Sequence, residues 1–160
     1  MVVVIADAGP VIAMAKIKRL HLLEDLFSEL LITQAVADEC LCNQTDDSIL
    51  INQAIDVGWL KCVDNPVFQQ ALPRSLGLGE QSSIEYALQS KSNTLLILDD
   101  ALARKHALRK QLVIVGTAAV LFAAQRKALI TDAETVIGEL NQVGYRILTT
   151  VVSQLKSTMK

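Results

Sequence analysis

The chain has 160 residues, of which 51% are hydrophobic but only 4% aromatic, and its formal net charge at pH 7 is -2. This length predicts one domain that buries a sizeable core without disulfides or structural metal. The charge excludes a global basic field, so any nucleic-acid contact has to come from a local patch.

Membrane insertion and structural zinc are both disfavoured by the sequence. The longest apolar run, residues 118–124, is far shorter than the roughly 20 residues that span a bilayer. The chain has three cysteines: Cys40, Cys42 and Cys62. An odd number of cysteines without a signal peptide predicts reduced thiols and a cytoplasmic location. The three cysteines, with only His21 and His106 as further zinc ligands, do not form a convincing zinc-binding motif. The simpler interpretation is that the cysteines are buried apolar residues.

The first half of the chain predicts strands that alternate with helices. A β-branched run from residue 2 ends at Asp7 and is bounded by Gly9 and Pro10, which indicates a buried strand followed by a helix. Further strands are predicted at residues 30–32 and 59–63. The predicted helices are two short ones separated near residues 18–19, one capped by Thr33 that runs to residue 41, and one over residues 46–57. Residues 65–76, with two prolines, predict a surface loop.

The second half continues the alternation. A helix begins at residues 77–80 and carries Glu80, Ile84 and Leu88 on its inward face. Strands are predicted at residues 94–98 and 112–115, and helices at residues 101–110 and 117–129. Regular alternation of strand and helix predicts an α/β fold in which helices cover a mostly parallel sheet.

The end of the chain differs in kind. Residues 131–134 read as a capping box that opens a helix to about residue 143, Gly144 ends that helix, and residues 149–159 offer another helical pattern. We therefore expect one domain over residues 1–130 and a short helical extension of the same domain over residues 131–160.

Acidic residues stand at element boundaries in four places. They are Asp7, Glu39, Glu80 and one or both of Asp99 and Asp100. Each alone has a structural explanation, since acids cap helices and end strands routinely. A parallel sheet, however, brings the ends of the first and fourth strands to one edge, where ligands bind in such folds. Carboxylates confined together repel one another unless a cation neutralises them, and Mg²⁺ or Mn²⁺ is the matching ion.

The chemistry that such a site supports is phosphodiester hydrolysis. The sequence has no Walker A loop, no Gly-x-Ser-x-Gly elbow and no candidate Cys–His pair, so metal-activated water is the remaining nucleophile. The helix after Asp100 is the most basic in the chain, with four cations: Arg104, Lys105, Arg109 and Lys110. It could hold a nucleic-acid backbone against the site, or it could be a solvated helix face.

The order of the motifs resembles the PIN domain superfamily. The resemblance runs over nearly the whole chain and is carried by Asp7, residues 36–39, residues 79–84, residues 96–100 and residues 115–117. The chain looks most similar to the branch close to the toxin components of VapBC toxin–antitoxin systems, whose opening motif matches residues 7–17.

The resemblance implies a three-layer α/β/α fold and a Mg²⁺- or Mn²⁺-dependent ribonuclease site. Asp7, Glu39 and Glu80 correspond to three family acids, and the fourth is Asp100 or Asp99, with Asp100 preferred. An RNA substrate, a homodimer and a small antitoxin protein as partner are also implied. Gly9 and Leu98 depart from the family pattern at positions that usually carry hydroxyl groups, and Thr117 could partly compensate.

Other interpretations remain open. A dehalogenase-type phosphoryl-transfer enzyme needs Asp-x-Asp, where this chain has Gly9, and a receiver domain carries its acid pair early in the chain. The more serious alternative is a catalytically weak or inactive PIN-like domain that binds RNA or a partner protein without cutting. Cleavage of single-stranded RNA that depends on metal separates the two.

Overall fold

A computed structural model describes residues 2–69, 72–90 and 93–158 of the chain. Its strands are β1 (Val2–Ala6), β2 (Leu30–Thr33), β3 (Leu60–Val63), β4 (Asn93–Ile97) and β5 (Val113–Val115). Its helices are α1 (Ala8–Lys16), α2 (His21–Phe27), α3 (Gln34–Leu41), α4 (Asp46–Val57), α5 (Leu78–Gln89), α6 (Ala101–Arg109), α7 (Thr117–Arg126), α8 (Ala133–Gln142) and α9 (Thr149–Thr158). The predicted loop over residues 65–76 and the predicted last helix both include residues outside the described ranges.

The strands form one parallel sheet in the order β3-β2-β1-β4-β5. β1 lies at its centre, with Val2 opposite Asn93 and Ala6 opposite Ile97 of β4. The order reverses at β1, which continues to β2 on one side and to β4 on the other. This is the topological switch point where ligands bind in open α/β sheets, outside the carboxyl ends of the strands.

Successive residues of the central strand supply two separate cores. Val4 and Ala6 of β1 face the larger core, to which α1, α4, α7 and α8 contribute. Ile5 faces the smaller core, which it shares with Ile84 of α5 and Ala103 of α6. The alternation follows from the two-residue period of a strand, and burial of both faces explains why β1 is apolar from Val4 to Ala6. The predicted three-layer α/β/α fold is confirmed.

Among the helix boundaries that differ from the sequence prediction, the end of α7 and the start of α8 have a clear physical reason. α7 ends at Arg126 rather than residue 129, because Ala128 adopts a left-handed conformation (φ 59°) and Leu129 N–H returns to the Ala124 carbonyl at 2.9 Å. The cap of α8 is Asp132 rather than Thr131: its carboxylate accepts from the Thr135 N–H at 3.2 Å and the Thr135 hydroxyl at 2.7 Å. A carboxylate with two local donors is the stronger cap.

The C-terminal helices pack on the same side of the sheet as α7. α8 supplies Ala133, Val136 and Leu140 to the larger core, and Val152 and Leu155 of α9 pack against its edge. Arg19, in the turn after α1, forms a two-pronged ion pair with Glu139 of α8, with both N–O distances at 3.0 Å. No described helix is both long enough and apolar enough to cross a membrane.

Candidate active site

Acidic side chains gather at the carboxyl edge of the two central strands. Asp7 directly follows β1, and Asp100 follows β4 by two intervening residues. Glu39 lies on α3, and Glu80 lies on the first turn of α5. The parallel pairing of β1 with β4 brings Asp7 and Asp100 to this edge, as the sequence predicted.

Asp7 is the buried member of this group. Only 7% of its surface is exposed, and its carboxylate makes no capping hydrogen bond at the start of α1. The pKa of Asp7 is raised to about 7, mainly by burial: repulsion from Glu80, Glu39 and Asp100 contributes to the rise, while the Ala8 N–H acts in the opposite direction. The charges of three acids on different elements therefore act on one buried carboxyl group.

Glu80 is also subject to repulsion from neighbouring carboxylates. Its Oε2 accepts from the Gly77 N–H at 3.3 Å, so the carboxylate bends back over the first turn of α5. Partial burial raises the pKa of Glu80, repulsion from Asp100 and Glu39 adds to that rise, and the Gly77 N–H opposes it. The hydrogen bond from the Gly77 N–H therefore does not offset the effects of burial and repulsion on Glu80.

Gly79 provides the space in which two of the carboxylates meet. A Cβ atom at this position would lie 3.3 Å from Oε1 of Glu39, 3.5 Å from Oδ1 of Asp7 and 3.3 Å from Cγ2 of Val36. The missing side chain therefore lets α5 approach α3 while both carboxylate oxygens face the same point. From the sequence, Gly79 is part of a helix start and of the family motif over residues 79–84, and neither predicts this close approach.

The two consecutive acids after β4 have different surroundings. Asp100 is exposed, its Oδ2 accepts from the Ala103 N–H at 2.9 Å as the cap of α6, and its charge acts on Asp7 and Glu80. Asp99 turns to α7: its Oδ1 accepts from the Thr117 N–H at 2.8 Å, and its Oδ2 from the Thr117 hydroxyl at 2.5 Å. Asp99 Oδ2 also accepts from the Tyr145 hydroxyl.

Tyr145 is a site neighbour that sequence reasoning missed. It belongs to the predicted C-terminal extension, which was interpreted only as a helical appendage. The one signal in the sequence is its place directly after Gly144, the residue that ends α8. This signal predicts a turn but not which residues Tyr145 contacts.

The basic helix α6 divides into inward and outward cations. Arg104 is partly buried, and its Nη1 donates to the Leu98 carbonyl at 2.7 Å, so its guanidinium faces the sheet edge. Lys105 and Arg109 are exposed, and Lys110 is partly exposed at the end of the helix. Arg104 thus has a structural contact, whereas Lys105 and Arg109 present their charges to solvent.

The donor chemistry of the acidic group fits a hard divalent cation. Carboxylate oxygens are the ligands that Mg²⁺ and Mn²⁺ prefer, and the oxygens over Gly79 leave room that a side chain would fill. Within the described ranges, no three His, Cys, Asp or Glu side chains stand close enough together to form a complete ligand set.

Comparison with known proteins identifies the family. The model of the family DUF3368, described as a PIN domain, matches residues 3–160. A search of curated proteins gave no match. PIN domains are in general nucleases, and the parallel five-stranded sheet covered by helices is consistent with that fold. The chain belongs to the PIN domain family.

Proposed function

We propose that this protein is a Mg²⁺- or Mn²⁺-dependent endoribonuclease. The observation that carries the proposal is that oxygens of Glu39 and Asp7 lie within 3.5 Å of one point beside Gly79, and that the charges of Glu80, Glu39 and Asp100 all help to raise the pKa of the buried Asp7 carboxyl group. Keeping several carboxylates this close to one another is unfavourable in the absence of a counter-charge, and nuclease chemistry supplies a reason for it.

Asp7, Glu39, Glu80 and Asp100 are the residues that would hold the cation. When bound, it would activate a water molecule and neutralise charge on the scissile phosphate. We assign Asp99 a different role from Asp100, because Thr117 and Tyr145 already occupy both of its oxygens. Asp99 would anchor the turn that presents Asp100.

Substrate binding would use the exposed face of α6. Its N-terminus adjoins Asp100, so Lys105 and Arg109 extend from the carboxylate group along the outside of the protein. Cations in this arrangement bind a phosphate backbone and position it without reading sequence. Arg104 would contribute by holding the sheet edge through the Leu98 carbonyl.

The alternative is a PIN domain that binds RNA without cutting it. The observation that favours it is that, in the described part of the chain, no three His, Cys, Asp or Glu side chains form a ready ligand set. A toxin role, an antitoxin partner, a homodimer and a cytoplasmic location stay predictions from sequence.

Cleavage of circular single-stranded RNA tests the proposal, since an exonuclease cannot open a circle. We expect the purified protein to cut in Mn²⁺ or Mg²⁺ and not in EDTA. Asp7→Asn and Glu80→Gln should each remove cleavage while the protein stays folded, because each loses a carboxylate with little change in volume. Asp56→Asn, an exposed change on α4, is the matched control and should cut normally.

The outcomes separate the two candidate functions. Cleavage by wild type that both site variants retain would overturn the site. Binding of RNA by wild type without cleavage in either metal would favour the alternative.

A further inference from the structure

Tyr145 reaches the carboxylate site from the far end of the chain. α8 ends in a tight turn in which Gly144 is left-handed (φ 89°) and Tyr145 N–H donates to the Leu140 carbonyl at 3.0 Å. The Ile147 N–H donates to the Asn141 side chain at 2.9 Å, which fixes the chain beyond the turn. The position of Tyr145 is therefore set by two backbone contacts to α8.

The Tyr145 hydroxyl completes the set of donors around Asp99. It donates to Oδ2, the same oxygen that accepts from the Thr117 hydroxyl at 2.5 Å, while Oδ1 accepts from the Thr117 N–H at 2.8 Å. Three donors from two elements thus hold a carboxylate whose neighbour in sequence is Asp100. A fixed Asp99 fixes the peptide from which the Asp100 side chain extends.

The same hydroxyl occupies the side-chain space of residue 9. A Cβ on Gly9 would lie 3.2 Å from the Tyr145 oxygen and 3.5 Å from Cε1 of its ring. Gly9 follows Asp7 by two residues on α1. The phenol therefore lies between the segment that carries Asp7 and the segment that carries Asp100, in the space that a side chain on residue 9 would otherwise take.

We propose that Tyr145 is a positioning residue of the carboxylate site, which acts by holding Asp99 and thereby sets the distance between Asp7 and Asp100. The proposal rests on the proposed function, because it treats this group of acids as the site of a divalent cation. It gives the C-terminal segment a part in the reaction beyond its packing on α7.

Tyr145→Phe removes the hydroxyl and keeps the ring. We expect Mn²⁺ affinity, measured by calorimetry without RNA, to fall at least tenfold, since loss of a group that orients a ligand commonly costs about 10–100-fold. At saturating Mn²⁺, kcat for RNA cleavage should fall while KM for RNA stays unchanged. Tyr86→Phe, which alters the other tyrosine, is the control and should match wild type.

A rescue variant separates positioning from packing. In the double variant Gly9→Ser/Tyr145→Phe, the new hydroxyl lies one bond beyond a Cβ that points to the vacated phenol oxygen. We expect this variant to recover most of the Mn²⁺ affinity. Gly9→Ser alone should weaken Mn²⁺ binding, because the added side chain meets the Tyr145 oxygen at 3.2 Å.

The Mn²⁺ affinities and RNA cleavage of these variants distinguish failure of the positioning role from failure of the proposed function. Tyr145→Phe with wild-type Mn²⁺ affinity would overturn the proposal, and so would a double variant no better than Tyr145→Phe. Wild type that binds Mn²⁺ without cutting RNA would overturn the proposed function alone, since the calorimetric comparison would still stand. Wild type that does not bind Mn²⁺ would overturn both.

Discussion

The hydroxyl oxygens of Thr33 and Ser82 lie 2.7 Å apart in the interior, and both side chains are fully buried. Ser82 donates its proton to the Gly79 carbonyl at 2.9 Å, so Thr33 is the donor between the two hydroxyls. Thr33 in turn accepts from the Val36 N–H at 3.2 Å as the cap of α3. A continuous chain of hydrogen bonds therefore joins the first turns of the helices that carry Glu39 and Glu80.

Thr33→Val should destabilise the protein more than Thr33→Ser. The valine variant removes the cap of α3 and leaves Ser82 without its donor in a buried place, at a cost of about 1–3 kcal/mol in the free energy of unfolding. The serine variant keeps the hydroxyl and loses only a methyl group. Urea unfolding of both variants measures the difference. Equal losses would contradict the prediction, because they would show that the hydroxyl contributes no more than the methyl group does.

Gly79→Ala should weaken metal binding with little change in stability. Its new Cβ would lie 3.3 Å from the Glu39 oxygen and from Val36, so the carboxylate has to move. Alanine is better than glycine in a helix by roughly 0.8–1 kcal/mol, which offsets the crowding in the folded protein. We expect at least tenfold weaker Mn²⁺ binding by calorimetry, with a melting temperature close to that of wild type.

The matched control is Gly138→Ala on α8, where an added Cβ meets nothing within 4 Å. It should raise the free energy of unfolding by up to about 1 kcal/mol and leave Mn²⁺ affinity unchanged. If both variants bind Mn²⁺ equally well, the oxygens over Gly79 are not cation ligands.

Stability in EDTA should fall as the pH rises from about 4 to about 7. The pKa of Asp7 is raised by burial from 3.8 to about 7 in the folded protein. Between these values the native state holds a proton that the unfolded chain has released, so raising the pH favours unfolding. One pKa unit corresponds to about 1.4 kcal/mol, which makes the loss on the order of a few kcal/mol.

Asp7→Asn isolates this contribution, since its side chain does not titrate. Thermal melts of the variant should lack most of this slope, and the variant should equal or exceed wild type at pH 7 in EDTA. Mn²⁺ should reverse that order, because it binds the native wild type. An Asp7→Asn protein that is clearly less stable in EDTA would make Asp7 a structural residue.

The outward cations of α6 should control the salt dependence of RNA binding. Lys105→Ala/Arg109→Ala should reduce the log–log slope of affinity against salt by about 0.7 for each phosphate that these two side chains neutralise on single-stranded RNA. Preference among RNA sequences should hardly change, because phosphate contacts position rather than specify.

The control for that measurement is Arg126→Ala/Lys127→Ala. These exposed residues lie at the opposite end of α7 from Thr117, away from the carboxylate edge. An unchanged slope in the α6 double variant, or an equal change in the control, would mean that α6 is a solvated helix face.

The fold was predictable because its signals are local. β1 and β4 are apolar runs that end at acids, and their alternation with helices determines a parallel sheet. That sheet in turn predicts the meeting of Asp7 with Asp100. The close approach at Gly79 was not predictable, because it depends on the distance between α3 and α5 rather than on either sequence.

The hydrogen-bond partners of Asp99 could not be predicted from the sequence, for a related reason. Asp99 and Asp100 are identical in type and adjacent, and only the positions of Thr117 and Tyr145 distinguish them. Tyr145 reaches Asp99 because α8 folds back along α7 before the chain turns at Gly144. The local sequence pattern does not predict that the chain after α8 comes back to Asp99.

The central place of β1 dictates when the site can come into existence during synthesis. β1 cannot pair with β4 until Asn93 and its neighbours have been added, roughly 5 to 20 seconds after β1 itself at about 5–20 residues per second. Asp7 therefore cannot approach Asp100 before that point in synthesis. Asp99 cannot accept from the Tyr145 hydroxyl until Tyr145 has been added as well. On the proposed function, a nascent chain would therefore lack a complete site until Tyr145 has been added.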